Sequence, residues 1–213
     1  LGGDYYDFFK LDDGKIGICV ADIVGKGIAA GLFMAMLKSL LHSQLQQVVS
    51  PKMALKKINE VLFRDPVIDK FVPLFYAVLD PATMILRYSN AGHEPALRYN
   101  GTEFEVLDTE GFPLGALLES EYGEHEIQLS DKDLVVFFTD GIVDARNSKN
   151  HSFGVAGVKS VLKKFSDQSA KGIADKLFSH VSQFMKGMSQ PDDITLVVLK
   201  TDVAHQVQGT EQP

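Results

Sequence analysis

The sequence predicts an α+β fold in which antiparallel sheets are covered by helices. Three observations support this class: a buried strand and two helices come early, hairpins fill the middle, and two helices and a strand end the chain. The strict alternation of strand and helix that is typical of a doubly wound parallel sheet does not occur. Because no Pro-, Gly- or Ser-rich stretch divides the 213 residues, we expect one domain over residues 1–200 and a polar tail over 201–213.

The first third of the chain is predicted to hold a strand and two helices. Residues 15–21 (KIGICVA) are typical of a buried strand. Over 28–47 apolar residues recur at helical spacing, which predicts a long helix that is largely buried at its start. Ser50 and Pro51 supply an N-cap and a first-turn proline, so a second helix is expected to begin there.

The middle of the chain is predicted to be a series of antiparallel strands. The segments 74–79 and 84–89 flank the turn sequence DPAT, and the segments 96–99 and 104–107 flank a turn that contains Asn-Gly. Both patterns indicate hairpins. The apolar run 134–138 (LVVFF) predicts a further strand that is buried on both faces.

The last third is predicted to hold two amphipathic helices and a final strand. Apolar residues recur at helical spacing over 155–165 and again over 170–185. The run 194–199 (ITLVVL) then predicts a last buried strand.

Composition and charge exclude several classes of protein. With 45% apolar and 23% charged residues the chain is not disordered. Its longest apolar run, 28–37, is short of the about 20 residues that a spanning helix needs, so we expect no membrane insertion in this segment. A net charge of −7 argues against nucleic acid as the main partner but allows a phosphorylated substrate, because bound cations can reverse the local sign.

The single cysteine and the first residue also carry information. Cys19 alone can form neither an intrachain disulfide nor a Cys-based zinc site, and a cysteine-poor chain fits a reducing compartment such as the cytoplasm. The chain begins with Leu rather than Met, and we expect it to be a segment of a longer protein.

Acidic residues stand at the ends of three predicted strands. Asp22 and Asp140 follow buried strands, whereas Asp192 and Asp193 precede the last strand. If the last strand runs antiparallel to the other two, these strand ends meet at one edge of the fold. The carboxylates would then converge from segments that are far apart in sequence.

A cluster of this kind points to bound cations. Asp4 and Asp7, beside a Gly-Gly pair, offer further carboxylates. Several ionised carboxylates in one place repel each other unless protons or cations intervene. Oxygen ligands select hard ions such as Mg²⁺ or Mn²⁺, and a pair of such ions can activate a water for attack on phosphorus. The alternative, that each aspartate only stabilises a turn or a helix start, stays open at this point.

Other motifs are weaker. The glycines around position 25 match neither a phosphate-binding P-loop nor a dinucleotide fingerprint. His93, in the turn sequence NAGHEP, is either a structural or a catalytic histidine, and the sequence does not decide between them.

Six short motifs together resemble a known family. They are GGDYYD (2–7), ADIVGKG (21–27), NAGH (90–93), PLG (113–115), TDGIVDA (139–145) and DDIT (192–195). This set is similar to the metal-dependent protein phosphatase superfamily (PPM, type 2C), in its bacterial sporulation-phosphatase and sigma-regulator branch. The likeness extends from the first of these motifs to about residue 200.

The resemblance implies a fold and a reaction. The expected fold is a four-layer α-β-β-α sandwich of two antiparallel sheets flanked by helices, with two Mn²⁺ or Mg²⁺ ions at one edge. The expected reaction is hydrolysis of phosphoserine or phosphothreonine on a protein by a metal-activated water, without a phosphoenzyme intermediate.

The resemblance also implies roles for individual residues. Catalysis through the metal-bound water would depend on Asp22, Asp140 and Asp192. The metal ligands would be Asp4, Asp22, the carbonyl of Ile23, Asp140, Asp192 and Asp193. Supporting roles would fall to Asp7, Gly25, Gly27, His93 and Gly141. No substrate-binding residue is predicted.

By the same resemblance the substrate would be a phosphorylated regulator such as an anti-sigma factor antagonist. An upstream sensory or receiver domain would regulate the phosphatase. Two alternatives remain: a non-catalytic, phosphatase-like binding module, and a hydrolase of a small phosphorylated metabolite.

Overall fold

A computed structural model describes residues 2–23, 25, 27–45, 50–65, 71–188 and 192–202. The elements in chain order are β1 (Asp4–Lys10), β2 (Ile16–Asp22), α1 (Ile28–Leu45), α2 (Pro51–Arg64), β3 (Leu74–Asp80), β4 (Ile85–Ala91), β5 (Ala96–Tyr99), β6 (Phe104–Leu107), β7 (His125–Gln128), β8 (Leu134–Phe138), α3 (Asp140–Val143), α4 (Gly154–Phe165), α5 (Ala170–Met185) and β9 (Leu196–Lys200). None of the helices described is long and apolar enough to cross a lipid bilayer.

The strands form two antiparallel sheets that pack face to face. The first sheet has the order β1-β2-β3-β4-β7 and the second has the order β6-β5-β8-β9. Along β2, Ile18 and Val20 face the second sheet, whereas Cys19 and Ala21 face the helices. Helices α1 and α2 cover the outer face of the first sheet, and α4 and α5 cover that of the second. The predicted four-layer sandwich is therefore confirmed.

Three elements are absent from the sequence prediction. Strand β1 buries Tyr5 and Phe9 and exposes Tyr6 and Phe8, so aromatic residues lie on both of its faces and its sequence lacks the apolar–polar alternation that predicts a strand. Strand β7 (HEIQ) is polar, and it is a strand because β4 offers it a free edge. Helix α3 is a single turn, too short for a periodic pattern.

Helix α1 differs from the prediction at its start. Ile28 is 79% exposed and Leu32 is 69% exposed, so the first turns are not buried as expected. The buried face instead contains Ala30, Leu37 and Leu41, which share one side of the helix at a spacing of 3.6 residues. Leu32 points away from that side. The predicted end of this helix at residue 47 lies outside the described residues.

Helix α2 begins at the predicted cap and fixes a distant loop. The Ser50 hydroxyl accepts a hydrogen bond from the Met53 N–H and donates one to Glu124. Asn59, buried on the inner face, donates to the Leu117 carbonyl and accepts from the Gly115 N–H. The PLG motif at 113–115 is thus held against α2.

The fold includes one residue that we assigned to the tail. Thr201, which we expected to begin the tail, is buried, and its N–H donates to the Asp133 carbonyl. The remainder of the predicted tail, 203–213, lies outside the described residues.

Candidate active site

The strand ends that carry the aspartates meet at one edge of the sandwich. In the antiparallel pair of β1 and β2, Asp4 lies directly opposite Asp22. In the second sheet β8 and β9 are also antiparallel, with Phe138 opposite Leu196. Asp140 therefore follows β8 at the end where the segment 192–195 leads into β9. The antiparallel orientation of the last strand to β8, which we assumed from the sequence, is confirmed.

Hydrogen bonds join the two sheets at this edge. The Gly3 N–H donates to Asp193 Oδ2 over 2.7 Å. The Thr139 hydroxyl donates to Asp4 Oδ2 over 2.7 Å and accepts from the Thr195 N–H over 3.0 Å. The first two bonds connect the start of β1 with the segments beside β9 and β8, and the third connects the segments beside β8 and β9 with each other. The fold itself therefore holds the carboxylates in place.

Glycines allow the backbones to approach closely here. A Cβ atom on Gly3 would lie 2.5 Å from the Ile23 carbonyl oxygen. A Cβ atom on Gly141 would overlap the backbone carbonyl of Asp193. Any side chain at either position would push the strand ends apart, which explains why this part of the site needs glycine.

The electrostatics confirm that the acidic groups are close enough to repel each other. Burial raises the pKa of Asp22 from 3.8 to about 6, and four neighbouring carboxylates add to the rise. They are Asp4, Asp140, Asp192 and Asp193. Asp22 forms no ion pair with another described residue. Its negative charge is therefore uncompensated within that part of the chain.

The pKa values of two further carboxylates are raised as well. Burial raises the pKa of Asp4, although hydrogen bonds from Thr139 and Thr195 act against this. Burial also raises the pKa of Asp140, and the nearby charge of Asp192 adds to it. Raised values at adjacent carboxyls are typical of sites that take up a cation or act in proton transfer.

Two cavities open beside this cluster, and Asp140 lines both. The smaller, of about 100 Å³, is lined by Asp22, Pro73, Gly92, His93, Glu94 and Asp140. The larger, of about 260 Å³, is lined by Asp140, Gly141, Asp144, Arg146 and Asp192. A separate cavity of about 180 Å³, lined in part by Lys15, Asp80 and Arg87, lies where β3 ends and β4 begins, away from the cluster.

Three further residues lie at the candidate site although no pattern in the sequence predicts them there. Thr139 is fully buried and organises Asp4, but it reads as an ordinary residue after a strand. Glu94 lines the smaller cavity, and burial together with Asp140 raises its pKa. Arg146 lines the larger cavity and lies six residues after Asp140, at no motif spacing that we recognised.

Asp7 does not join the carboxylate cluster. It is three residues from Asp4 along β1, so its side chain points to the opposite face of the sheet. There it accepts hydrogen bonds from the Tyr5 hydroxyl and from His42 of α1. Burial acts to raise the pKa of Asp7, but these bonds outweigh it and hold the value at about 2. Asp7 fastens α1 to β1.

Gly25 and Gly27 lie after β2 on the exposed side of the site. Both have positive φ angles, 111° and 89°, which suit glycine. No contact of these residues with the carboxylates is observed among the described residues, and their supporting role stays a prediction.

The donor atoms fit a hard divalent cation. Within the described ranges, no group of three Asp, Glu, His or Cys side chains is arranged so that it could hold a metal ion without movement. Asp22 and Asp140 nevertheless line one cavity and have raised pKa values, and the acidic side chains offer oxygen only, which is the donor set of Mg²⁺ or Mn²⁺. A cation that binds here must draw the carboxylates closer together. This movement is favourable because the charge of the cation offsets the repulsion between the carboxylates.

Comparison with known proteins gives consistent results. The family model described as "Stage II sporulation protein E (SpoIIE)" matches residues 12–202. The phosphoserine phosphatase RsbU of Bacillus subtilis (strain 168) is 29% identical over 205 residues, which cover 95% of this chain and 60% of RsbU. The chain also spans only 36% and 49% of two further curated relatives.

Solved structures show the same fold. The SiaA-PP2C domain of Pseudomonas aeruginosa superimposes with a TM-score of 0.84 at 19% identity, over 94% of this chain and 81% of that domain. RsbX, solved in complex with magnesium, gives a TM-score of 0.68 at 18% identity, over 94% of this chain and 87% of RsbX.

Proposed function

The chain belongs to the Stage II sporulation protein E (SpoIIE) family, and from that premise we propose that it is a metal-dependent protein serine/threonine phosphatase. One observation carries the proposal: Asp22, at the end of β2, and Asp140, after β8, line the same cavity, and the charges of Asp4, Asp140, Asp192 and Asp193 add to the effect of burial in raising the pKa of Asp22. The name of RsbU, a phosphoserine phosphatase, supports the same activity.

The acidic residues would hold the cations. Asp22 and Asp140, which line the same cavity, are the proposed central ligands, with Asp192 beside Asp140. Asp4 and Asp193 would complete the set, together with the Ile23 carbonyl. When bound, Mg²⁺ or Mn²⁺ supplies an acidic water and neutralises phosphoryl charge. Binding of two such ions is part of the proposal, and magnesium in the RsbX structure supports the type of ion.

The protein's own residues orient the substrate. Arg146 lines the larger cavity beside Asp140 and Asp192, and its guanidinium donates to the Asn150 carbonyl over 3.1 Å. That bond leaves other N–H groups of the guanidinium able to bind a phosphate. Arg146 would therefore hold the phosphoryl group at the mouth of the site.

The substrate is proposed to be a phosphorylated protein of the anti-sigma factor antagonist type. The similarity to RsbU, a phosphoserine phosphatase, supports a phosphoserine substrate, and the resemblance of the motifs to the sigma-regulator branch is the reason for choosing this type of regulator. Since the chain spans 60% of that relative, a further sensory or receiver domain is the proposed regulator.

Charge-neutral substitutions test the phosphatase assignment. Asp22→Asn and Asp140→Asn keep the shape of each side chain but weaken cation binding, so Mn²⁺-dependent hydrolysis of a phosphoserine peptide should fall at least 100-fold. Asp80→Asn is the matched control, because Asp80 ends β3 beside the separate cavity and accepts turn hydrogen bonds that Asn can also accept.

Three results would count against the proposal. Full activity in either site variant, or undiminished wild-type activity in excess chelator, would exclude metal-dependent catalysis at these carboxylates. A wild-type protein that binds the phosphopeptide without hydrolysing it would favour a binding module. Hydrolysis of small phosphate esters but of no phosphopeptide would favour a metabolite phosphatase.

A further inference from the structure

Thr139 is a buried polar residue between strand β8 and the aspartate that follows it. The residue is 0% exposed. Its backbone groups already have partners, because its N–H donates to the Thr195 carbonyl and its carbonyl accepts from the Ile142 N–H, both over 3.1 Å. The hydroxyl is therefore not needed to satisfy the backbone at this position, and its own hydrogen bonds call for an explanation.

The hydroxyl of Thr139 donates in one fixed direction. The Thr195 N–H can only donate, so the hydroxyl oxygen accepts that bond over 3.0 Å. The single O–H then points at Asp4 Oδ2, which it meets over 2.7 Å. Because the residue is enclosed, a hydroxyl turned away from Asp4 would lose this bond without a bond to solvent in exchange, which is unfavourable.

This bond ties Asp4 to the backbone that carries another carboxylate. Asp4 begins β1, an edge strand of the first sheet, so a paired strand holds it on one side only. Thr139 belongs to the other sheet and directly precedes Asp140. The bond therefore fixes where the Asp4 carboxylate stands relative to Asp140, and the charge of Asp4 acts on Asp22 from this position.

Asp4 keeps free acceptor positions when it is held in this way. Its carboxylate accepts from the side chains of Thr139 and Thr195. A carboxylate has about four positions at which it can accept a bond, so two hydroxyls leave room for a cation. The residue is also partly exposed, so solvent and ions can reach it.

We propose that Thr139 is a positioning residue for the cation site, and that its hydroxyl holds Asp4 in the orientation in which the carboxylate can bind a divalent cation. The inference rests on the proposed function, in which Asp4 belongs to the ligand set. Groups that hydrogen-bond to metal ligands orient them, and loss of such a group usually lowers metal affinity about 10- to 100-fold. Thr139 needs no contact with the ion or the substrate for this role.

Calorimetric titration with Mn²⁺ tests the role without measuring turnover. Thr139→Val removes the hydroxyl at nearly constant volume, and the Kd for Mn²⁺ should rise about 10-fold. Thr139→Ser keeps the hydroxyl, so its Kd should stay within about threefold of the wild-type value. Thr139→Ala also removes the hydroxyl and gives the same comparison if the Val variant does not fold.

Thr201→Val is the matched control for the loss of a buried hydroxyl. Thr201 is 4% exposed, and its hydroxyl donates to the Ser130 carbonyl over 2.5 Å at the opposite end of β8. Urea denaturation should show that both Val variants are destabilised, yet Thr201→Val should bind Mn²⁺ with wild-type affinity. An equal rise of Kd in both variants would indicate a general loosening of the fold and contradict the proposal.

A double-mutant cycle shows whether the effect passes through Asp4. Asp4→Ala alone should raise the Kd for Mn²⁺, because it removes a ligand. If Thr139 acts by positioning Asp4, adding Thr139→Val to Asp4→Ala should raise the Kd by less than about twofold further. A second rise of about 10-fold would mean that Thr139 acts through another group and would overturn the proposal.

The outcomes separate this inference from the phosphatase assignment. A Thr139→Val variant that binds Mn²⁺ as tightly as the wild type, or a Ser variant as weak as the Val variant, would overturn the role of Thr139 and leave the phosphatase assignment standing. A wild-type chain that binds Mn²⁺ but hydrolyses no phosphopeptide would overturn the assignment, while the Kd comparison would still decide the role of Thr139. A wild-type chain that binds no Mn²⁺ would overturn both.

Discussion

At the scale of single residues, the site is defined by charge that the fold concentrates. Asp22 lies opposite Asp4 across two paired strands and lines a cavity with Asp140. Without a cation these groups repel each other, and the raised pKa of Asp22 reflects its burial first and that repulsion second. The negative charge that the proposed function needs at Asp22 therefore lowers the stability of the metal-free fold.

This opposition predicts a pH-dependent gain in stability for Asp22→Asn in the metal-free protein. Because folding raises the pKa of Asp22 from 3.8 to about 6, ionised Asp22 opposes folding. The penalty is absent below pH 4, where the group is protonated in both states, grows between about pH 4 and 6, and is complete at pH 7. Since the side chain is partly exposed, we expect a gain of only about 1 kcal/mol at pH 7 and none at pH 3.5.

Urea denaturation in chelator at the two pH values measures this gain. Saturating Mg²⁺ should make the wild type more stable than Asp22→Asn at pH 7, because only the wild type gains binding energy from the ion. An equal change at both pH values would indicate a packing effect and contradict the electrostatic explanation.

Arg146 provides a second prediction at this scale. If its guanidinium binds the phosphoryl group, Arg146→Ala should raise KM for a phosphoserine peptide about 3- to 10-fold, a modest effect because the side chain is exposed. Lys149→Ala, in the same exposed loop, should leave KM unchanged. Similar KM values for Arg146→Ala and Lys149→Ala would show that Arg146 does not bind the phosphoryl group.

At the scale of elements, hydrogen bonds from side chains to backbone hold the loops in place. Helices α2 and α5 both begin with a serine cap, Ser50 and Ser169. The Ser169 hydroxyl accepts only from its own helix in the described contacts, at the Gly172 N–H. The Ser50 hydroxyl also donates to Glu124, so it joins α2 to the segment before β7.

The two caps should differ in their contribution to stability. Ser169→Ala should cost about 1 kcal/mol, the usual value for a lost cap, and Ser50→Ala about 2 kcal/mol because the bond to Glu124 is lost as well. Thermal unfolding should show melting temperatures lower by roughly 3 °C and 6 °C. An equal loss in both variants would mean that the Glu124 contact adds nothing.

At the scale of the whole molecule, the sandwich gathers residues that are far apart in sequence. The antiparallel pairing of β8 with β9 places Asp140 near Asp192, and packing of the two sheets brings both to Asp22. Because burial of apolar residues between the sheets fixes this arrangement, the carboxylates remain close despite their repulsion.

The sequence predicted this arrangement where its signals are periodic or stand at strand ends. Buried runs located β2, β8 and β9, and the aspartates beside them gave the cluster. The polar strand β7 and the exposed start of α1 were not predictable, because tertiary pairing and coverage decide them. Thr139, Glu94 and Arg146 were missed because only the folded chain brings them to the carboxylates.

The most direct test of the central claim is a crystal structure grown with millimolar Mn²⁺ and measured at the manganese absorption edge. The account predicts anomalous peaks at the shared cavity edge, within about 2.5 Å of carboxylate oxygens of Asp22 and Asp140. A map without peaks there, or with manganese bound only elsewhere on the chain, would contradict it.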